Sequence, residues 1–262
     1  MLESIRVVGG ERLHNLISRF MSLYLVIPAF FDRFRTLTGT RIPRRIACIQ
    51  DKEGKTREVA IGVYYSQAAL LPLHNFLFKH LRRITQDCTF NQTKLFRSLR
   101  VDNGSSFHSV DLTAATDRFP ISIQRELLDV WFGSEYATHE RLMVGQPFKY
   151  KNDIIYGTGN PMGFYSSWAT FAVCHHFFLK ACKQVGRNWK RCPYMLLGDD
   201  IVIANDAVAK AYKELLEEDI SYSVEKTHIS KYGFEFAKQI RLHRENVSPF
   251  PLSALFDRRS ET

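Results

Sequence analysis

The stretch "YMLLGDDIVIAN", residues 194–205, limits what this chain can fold into more than any other segment. Tyr194 to Leu197 and Ile201 to Ile203 are apolar runs of strand length, and a Gly-Asp-Asp triplet separates them. The pattern predicts two buried strands joined by a tight turn in which Gly198 takes the positive φ. Such a hairpin projects Asp199 and Asp200 side by side at its tip. Adjacent like charges repel, so the pair asks for a compensating positive charge. A divalent cation held by hard oxygen ligands would supply it. Taken alone, a solvated Gly-Asp-Asp surface turn explains the same residues at least as well, because Gly-Asp is ordinary turn chemistry.

The chain around this hairpin is long enough for one large or two ordinary domains, at 262 residues with 45% hydrophobic and 24% charged, which excludes wholesale disorder. Lys plus Arg exceed Asp plus Glu by 36 to 27, a net charge of +9 that favours a polyanionic partner, nucleic acid before an anionic membrane. Five cysteines at irregular spacings form no C-x-x-C pair, so reduced core thiols are expected rather than a zinc ribbon or a disulfide scaffold. The "CHH" at 174–176 falls among Phe164, Trp168, Phe171, His175 and Phe178, which recur at helical spacing, so helix histidines are expected there and not a metal site. "MSLYLVIPAFF" from Met21 is too short to span a bilayer and contains Pro28, so no stable membrane insertion is expected. The N-terminus, with Glu3 and Glu11, lacks the pattern of a secretory signal.

Along the chain, "RIACIQ" and "TREVAIGV" read as two strands joined by the turn "DKEGK". Ser66 is expected to cap a helix with Leu73, Phe76, Leu77, His80, Leu81 and Ile84 on one side, and Pro72 must sit early in it or kink it. "SFHSVDLTAATDRFP" predicts a strand running into a loop, followed by a helix from about Pro120 to Gly133. A Gly-rich loop, "YGTGNPMGFYSS", then feeds the aromatic-faced helix. After the hairpin come a helix from about Val208 to Glu218 with Val208, Tyr212, Leu215 and Leu216 buried, a strand "ISYSV", a loop with Lys226, and a last strand "YGFEF" with Tyr232, Phe234 and Phe236 on one face. Strands and helices mix without βαβ regularity, so the fold class expected is α+β.

Further acids give the Asp199–Asp200 pair company. "VDLTAATDRF" sets Asp111 at the end of an apolar strand and Asp117 six residues on. Two-metal phosphoryl transfer needs carboxylates from separate strands that converge on ions roughly 3.5–4 Å apart. Asp111, Asp199 and Asp200 would supply them. Asp117 could cap the helix near Pro120 or face a nucleotide sugar. Gly157, Gly159 and Gly163, followed by Ser166 and Ser167, let a backbone approach a phosphate or sugar closely, although the loop is neither a Walker A nor a G-x-G-x-x-G motif. Lys52, Lys55 and Arg57 share one hairpin and could clamp a triphosphate, or form a solvated turn. Lys226 could protonate pyrophosphate as a general acid, or be a surface lysine.

The order of these parts is a basic hairpin, D-x5-D, a Gly-Ser loop with its helix, a Gly-Asp-Asp hairpin, a late lysine and an aromatic strand. It resembles the palm of viral RNA-dependent RNA polymerases with motifs F, A, B, C, D and E in sequence, and mitovirus polymerases in particular. The phrases that carry the resemblance are "GKTREVAIG", "SQAALLPLH", "DLTAATDRFP", "GNPMGFYSSWATFAVCHH", "LLGDDIVI", "EKTHIS" and "FEFAK", across roughly residues 40 to 256. The resemblance implies that Asp111, Asp199 and Asp200 hold Mg²⁺ or Mn²⁺ and that Asp117 inspects the ribose 2′-hydroxyl. It implies further that Gly163, Ser166 and Ser167 position template and sugar, that Lys55 and Arg57 guide the nucleoside triphosphate, and that Lys226 is the general acid. The implied partners are an RNA template, its product duplex and nucleoside triphosphates, and the implied location is the mitochondrion.

Val63, Cys88 and Asn160 stand where this family more usually has an acid, a glycine and a glutamine. The chain stops at Thr262, soon after "FEFAK". The expected architecture is therefore a palm over residues 101–262, an antiparallel sheet backed by helices, with a partial fingers region over residues 1–100. A thumb is expected in neither part, and whether another chain supplies one is left open. A second reading is an endogenised, catalytically inactive palm fragment that binds RNA at most. A reverse transcriptase of the group II intron type ranks below both, because Gly198 and Asp117 point to RNA synthesis.

Overall fold

The structure is a computed structural model and describes residues 1–26, 44–50, 56–101, 104–185, 193–216, 220, 222–223, 225, 227–243 and 245–249. The chain divides into two compact units, Met1–Thr85 with Thr113–Leu179 and Leu216–Ser221, and Gln86–Leu112 with Lys180–Leu215 and Tyr222–Thr262.

The first unit is mainly helical. α1 (Leu2–Gly9) and α2 (Glu11–Val26) precede an antiparallel hairpin of β1 (Arg45–Gln50) and β2 (Thr56–Ile61), paired from Arg45–Ile61 to Gln50–Thr56. The turn expected at 51–55 lies outside the described residues. α3 (Tyr64–Leu81) starts earlier than Ser66 because the Ser66 N–H already bonds the Val63 carbonyl; Ser66 is a buried residue inside the helix and caps nothing. Pro72 lies in the middle of α3 and not early in it. Ala69, Leu70, Leu73, Leu77 and Leu81 form the buried stripe of α3. Phe76 lies off that stripe, 44% exposed, and meets the rings of Trp131 and Phe132. The short α4 (Ala115–Arg118) leads to α5 (Ile121–Phe132), bounded by Pro120 and Gly133 as the sequence predicts. α6 (Ser134–Val144) then runs to β4 (Phe148–Lys149) and β5 (Asp153–Ile154), which complete a sheet in the order β2-β1-β4-β5.

Arg44 closes this corner. Its guanidinium, buried, donates to the carbonyls of Met143, Val144, Gln146 and Pro147 at 2.8–3.2 Å and lies 4.2 Å over the Phe148 ring. The last carbonyls of a helix lack intrahelical donors, so a cation there satisfies them and meets the negative end of the helix dipole. Burial pulls the Arg44 pKa down to about 10, still well above neutrality. α7 (Ser167–Val185) follows the Gly-rich loop, and its residues up to Leu179 belong to this unit.

The second unit is built on an antiparallel sheet in the order β6-β7-β3-β8, with β3 (Phe107–Asp111), β6 (Tyr194–Leu197), β7 (Asp200–Ile203) and β8 (His228–Ser230). Strands β3, β6 and β7 are almost wholly buried; β6 and, after Asp200, β7 read as unbroken apolar runs, whereas β3 buries His108 and Ser109 between Phe107 and Val110. The fourth strand is β8. Of the described residues of "ISYSV", Tyr222 bridges Leu112 and the Ser223 N–H bonds the Asp111 carbonyl at 2.9 Å, a bridge and not a full strand; Ser221 and Val224 lie outside the described residues. α8 (Asp206–Leu216) starts two residues before Val208, because the Asn205 carboxamide accepts the Val208 N–H as an N-cap. Leu215, expected to be buried, is exposed. "YGFEF" supplies β9 (Gly233–Phe236), and it is not the last strand: β10 (Gln239–Leu242) and β11 (Glu245–Asn246) continue a three-stranded meander. Phe234 and Phe236 are buried among Phe96, Phe107, Met195 and Val202, whereas Tyr232 precedes the strand and points to solvent. Among the described residues Cys88, Cys174 and Cys182 are buried free thiols and Cys48 is an exposed one.

Candidate active site

The carboxylate centre belongs to the second unit and follows from strand register. β6 and β7 pair with Leu197 opposite Asp200, which leaves Gly198 and Asp199 as the turn. Gly198 has φ 59°, the left-handed backbone the turn demands. Asp199 sits exposed in the turn and Asp200, half-buried, begins β7, so only Asp199 occupies the tip. The β3–β7 ladder sets Asp111 directly opposite Asp200. Like charges directly opposite each other in a ladder are destabilising. Asp200 registers this: its pKa is pushed up to about 6 by burial first, then by Asp199, Asp111 and Glu235, with the Ala237 N–H offsetting part of the rise.

Three carboxylates thus stand at one end of one sheet, and Asp200 among them resists ionisation because it is half-buried beside the other acids. The donor set is all hard oxygen, which suits Mg²⁺ or Mn²⁺. Among the described residues no group of three His, Cys, Asp or Glu side chains is drawn together closely enough to enclose an ion as placed. The fit is therefore one of charge and ligand type at adjacent register positions.

The remaining predicted residues that are described belong to the first unit. Asp117 lies in α4, whose entry residue Ala114 takes φ 50°, and its carboxyl is pushed up by burial and then by Glu58. It caps no helix: Pro120 is the residue before α5, and no side-chain cap is formed there. Its Oδ1 is buried with no hydrogen-bond partner. Beside it a cavity of about 330 Å³ is lined by Glu58, Asp117, Tyr150, Tyr156, Gly157 and Thr158 among others. The Gly-rich loop is laced to α4 and α5: Asn160 N–H donates to Thr116 at 3.0 Å, Ile121 N–H to Thr158 at 2.7 Å, and the Asn160 amide to Gln124 at 2.7 Å. A Cβ on Gly159 would stand 2.4 Å from the Asp117 carbonyl, so the loop reaches Asp117 only through a glycine.

The other half of the loop is clamped to β2 and α3. Ala60 N–H donates to Met162 at 2.7 Å, and the Gln67 amide bonds both the Gly163 carbonyl and the Tyr165 N–H. Gly163 has φ 111°, and a Cβ there would lie 2.7 Å from the Ala60 carbonyl oxygen. Gly163→Ala is expected to cost about 2–4 kcal/mol, strain plus backbone clash. Urea unfolding reads it as a lowered midpoint, and an unchanged midpoint would mean that the loop does not pass this close to β2. Ser166 and Ser167 are both buried, and Ser166 has φ 72°, donates its N–H to His74 Nδ1 at 3.4 Å, and leaves its hydroxyl without a partner. Burial holds the His74 pKa down, in keeping with a neutral ring that accepts this bond. Arg57 lies exposed on β2 opposite Ile49. Lys55 and Lys226 lie outside the described residues. Glu58, Gln67 and His74 were not among the predicted residues, since each is a single polar residue on a strand or helix with no motif around it.

A profile of the mitovirus RNA-dependent RNA polymerase family matches residues 11–261. The chain is 36% identical over 248 residues to the RNA-directed RNA polymerase of Cryphonectria parasitica mitovirus 1, covering 91% of this chain and 30% of that protein. It is 33% identical over 196 residues to an uncharacterised mitochondrial protein of Arabidopsis thaliana, covering 68% of this chain and 76% of that one. In structure it is similar to the RNA-dependent RNA polymerase of a human picobirnavirus, with a TM-score of 0.58 at 16% identity over 76% of this chain and 44% of that one. The fold is that of a polymerase palm. The chain spans about a third of the mitovirus protein's length.

Proposed function

The chain belongs to the mitovirus RNA-dependent RNA polymerase family, and on that premise we propose that its palm carries out RNA-directed RNA synthesis. An RNA 3′-hydroxyl attacks the α-phosphorus of a ribonucleoside triphosphate, and pyrophosphate leaves. The observation that supports this most directly is the Asp111–Asp200 cross-strand pair beside the Asp199 turn. Asp111, Asp199 and Asp200 would hold Mg²⁺ or Mn²⁺, which would supply positive charge for the attacking and leaving oxygens.

The other roles rest on motif order along the chain. Asp117 accepts a hydrogen bond from the 2′-hydroxyl, a role favoured by its partnerless Oδ1. Gly163, Ser166 and Ser167 position template and sugar, Lys55 and Arg57 bind the triphosphate, and Lys226 gives a proton to pyrophosphate. Residues 1–100 serve as a fingers region and 101–262 as the palm. Mitochondrial action is supported by the Arabidopsis relative, a mitochondrial protein. Among the described residues no helix is long and apolar enough to cross a membrane.

A palm that grips RNA without copying it is the second reading, favoured by the similarity to a short mitochondrial protein of which this chain covers 76%. Primer extension on a short RNA template with Mg²⁺ or Mn²⁺ separates the two. Extension by the parent and none by the Asp199→Ala, Asp200→Ala variant is the expected result, with Asp117→Asn admitting 2′-deoxynucleotides more readily. Equal extension by parent and double variant would remove the carboxylates from the reaction, and binding without extension by either would leave the second reading.

A further inference from the structure

The β9–β10 hairpin of the second unit has two ends. Its turn, Ala237–Lys238, reaches Asp200 through the Ala237 N–H. At the other end, where Tyr232 enters and His243 leaves, opens a cavity of about 280 Å³. Its floor is aromatic: Phe96 and Phe107 meet Phe234 with ring centroids 5.7 and 5.2 Å apart. Its rim carries Arg100, Lys231, Arg241 and His243, and among the described residues no carboxylate lines it. Asp206, which feels the Lys231 charge, is itself bonded by His108 at 2.7 Å and by the Ser106 N–H.

Two details make this more than a basic patch. Arg241, opposite Phe234 in the ladder, lies 4.7 Å over the Phe96 ring, and its Nε has no hydrogen-bond partner. Tyr232, 64% exposed, faces the His243 ring at 5.4 Å, and the His243 N–H bonds the Tyr232 carbonyl at 2.9 Å, which fixes the two rings as a pair. An exposed ring pair beside three permanent cations is the arrangement that holds a base by its face and a backbone by its phosphates.

We infer that this cavity binds a nucleotide unit of single-stranded RNA, its base against the Tyr232–His243 pair and its phosphates held by Arg100, Lys231 and Arg241. An acidic peptide would satisfy the cations but would leave the ring faces unused, and a described lining of cations and rings disfavours a metal ion or an amine. The inference rests on the cavity's own chemistry and is read by binding, so its failure is distinct from failure of the polymerase reading.

The test is fluorescence anisotropy of a labelled ten-nucleotide oligouridylate titrated with the full chain. Lys231 and Tyr232 are exposed, so Lys231→Gln with Tyr232→Ala leaves the fold intact, as circular dichroism will check. The expected result is affinity weakened by about tenfold or more, with the salt dependence of log K shallower by roughly 0.7. Lys210→Gln, an exposed lysine on α8, keeps the parent's affinity and slope. A 4-thiouridine in the oligonucleotide should crosslink to the peptide containing Tyr232. Unchanged affinity in the double variant, crosslinks only elsewhere, or no RNA binding by the parent would each overturn the inference. Displacement of the RNA by polyglutamate as readily as by unlabelled oligouridylate would overturn it in favour of an acidic peptide.

Discussion

Asp111→Asn is expected to slow single-nucleotide addition by at least about a thousandfold while leaving the protein as stable as the parent or slightly more so. The two effects share one cause. In the metal-free fold Asp111 faces Asp200 across the ladder, and removing one of two opposed charges relieves a repulsion worth about 0.2–1 kcal/mol. In the proposed reaction the same charge would hold a cation for the oxygens that gain negative charge, a contribution of several kcal/mol, and about 4 kcal/mol is a thousandfold in rate. The variant should also lose a response the parent has. A ligand that binds only the folded state raises the melting temperature by mass action, so millimolar Mg²⁺ should stabilise the parent and leave Asp111→Asn unmoved. Stopped-flow extension and a thermal scan with and without Mg²⁺ measure both. If the variant melted lower than the parent and still gained from Mg²⁺, Asp111 would be a structural residue and the cation would bind elsewhere.

The parts of the fold that were legible in the sequence are those in which local and tertiary demands agree. The 194–203 hairpin is two strand-length apolar runs around a glycine that takes positive φ, and the runs pair in register from Tyr194–Ile203 to Leu197–Asp200. The β1–β2 hairpin and the helix between Pro120 and Gly133 are of the same kind. Edge strands are different. His228–Ser230 has exposed or half-exposed side chains throughout and so carries no period, yet it pairs with β3 from Phe107 to Ser109. Tyr232 alternates with Phe234 and Phe236 in the sequence, a spacing that predicts one aromatic strand face. The Ser230 hydroxyl accepts its N–H in a turn, and the ring leaves the core. Of the site, the acids announce themselves because two carboxylates next to apolar runs need a reason. Gln67 and His74 give no such signal: the loop they hold is a hundred residues downstream, and only the folded chain brings it to them. Glu58 reaches Asp117 in the same way.

Glu140→Gln is expected to flatten the protein's pH dependence of stability in the window between about pH 4.5 and 7. Glu140 lies on the buried stripe of α6 with Ala137, Met143 and Val144, and its Oε1 has no partner. Burial pushes its pKa up from 4.5 to about 7, with the neighbouring Arg141 guanidinium offsetting only part of the rise. The direction of the effect follows from proton counts. Between those two values the unfolded chain has lost the proton and the folded chain keeps it, so folding takes up a proton and stability falls as pH rises. Above about pH 7 both states are ionised and the penalty is complete, about 3 kcal/mol for a rise of this size. The glutamine cannot ionise, so its stability relative to the parent should climb by about 3 kcal/mol from pH 4.5 to 8. The amide brings unmet donors of its own, which shift its curve by a constant and leave the slope untouched. Urea unfolding at four or five pH values for the two proteins decides the matter. Diverging curves place a carboxyl that burial keeps protonated in the core of the first unit, and parallel curves would mean that Glu140 reaches water or a cation in solution.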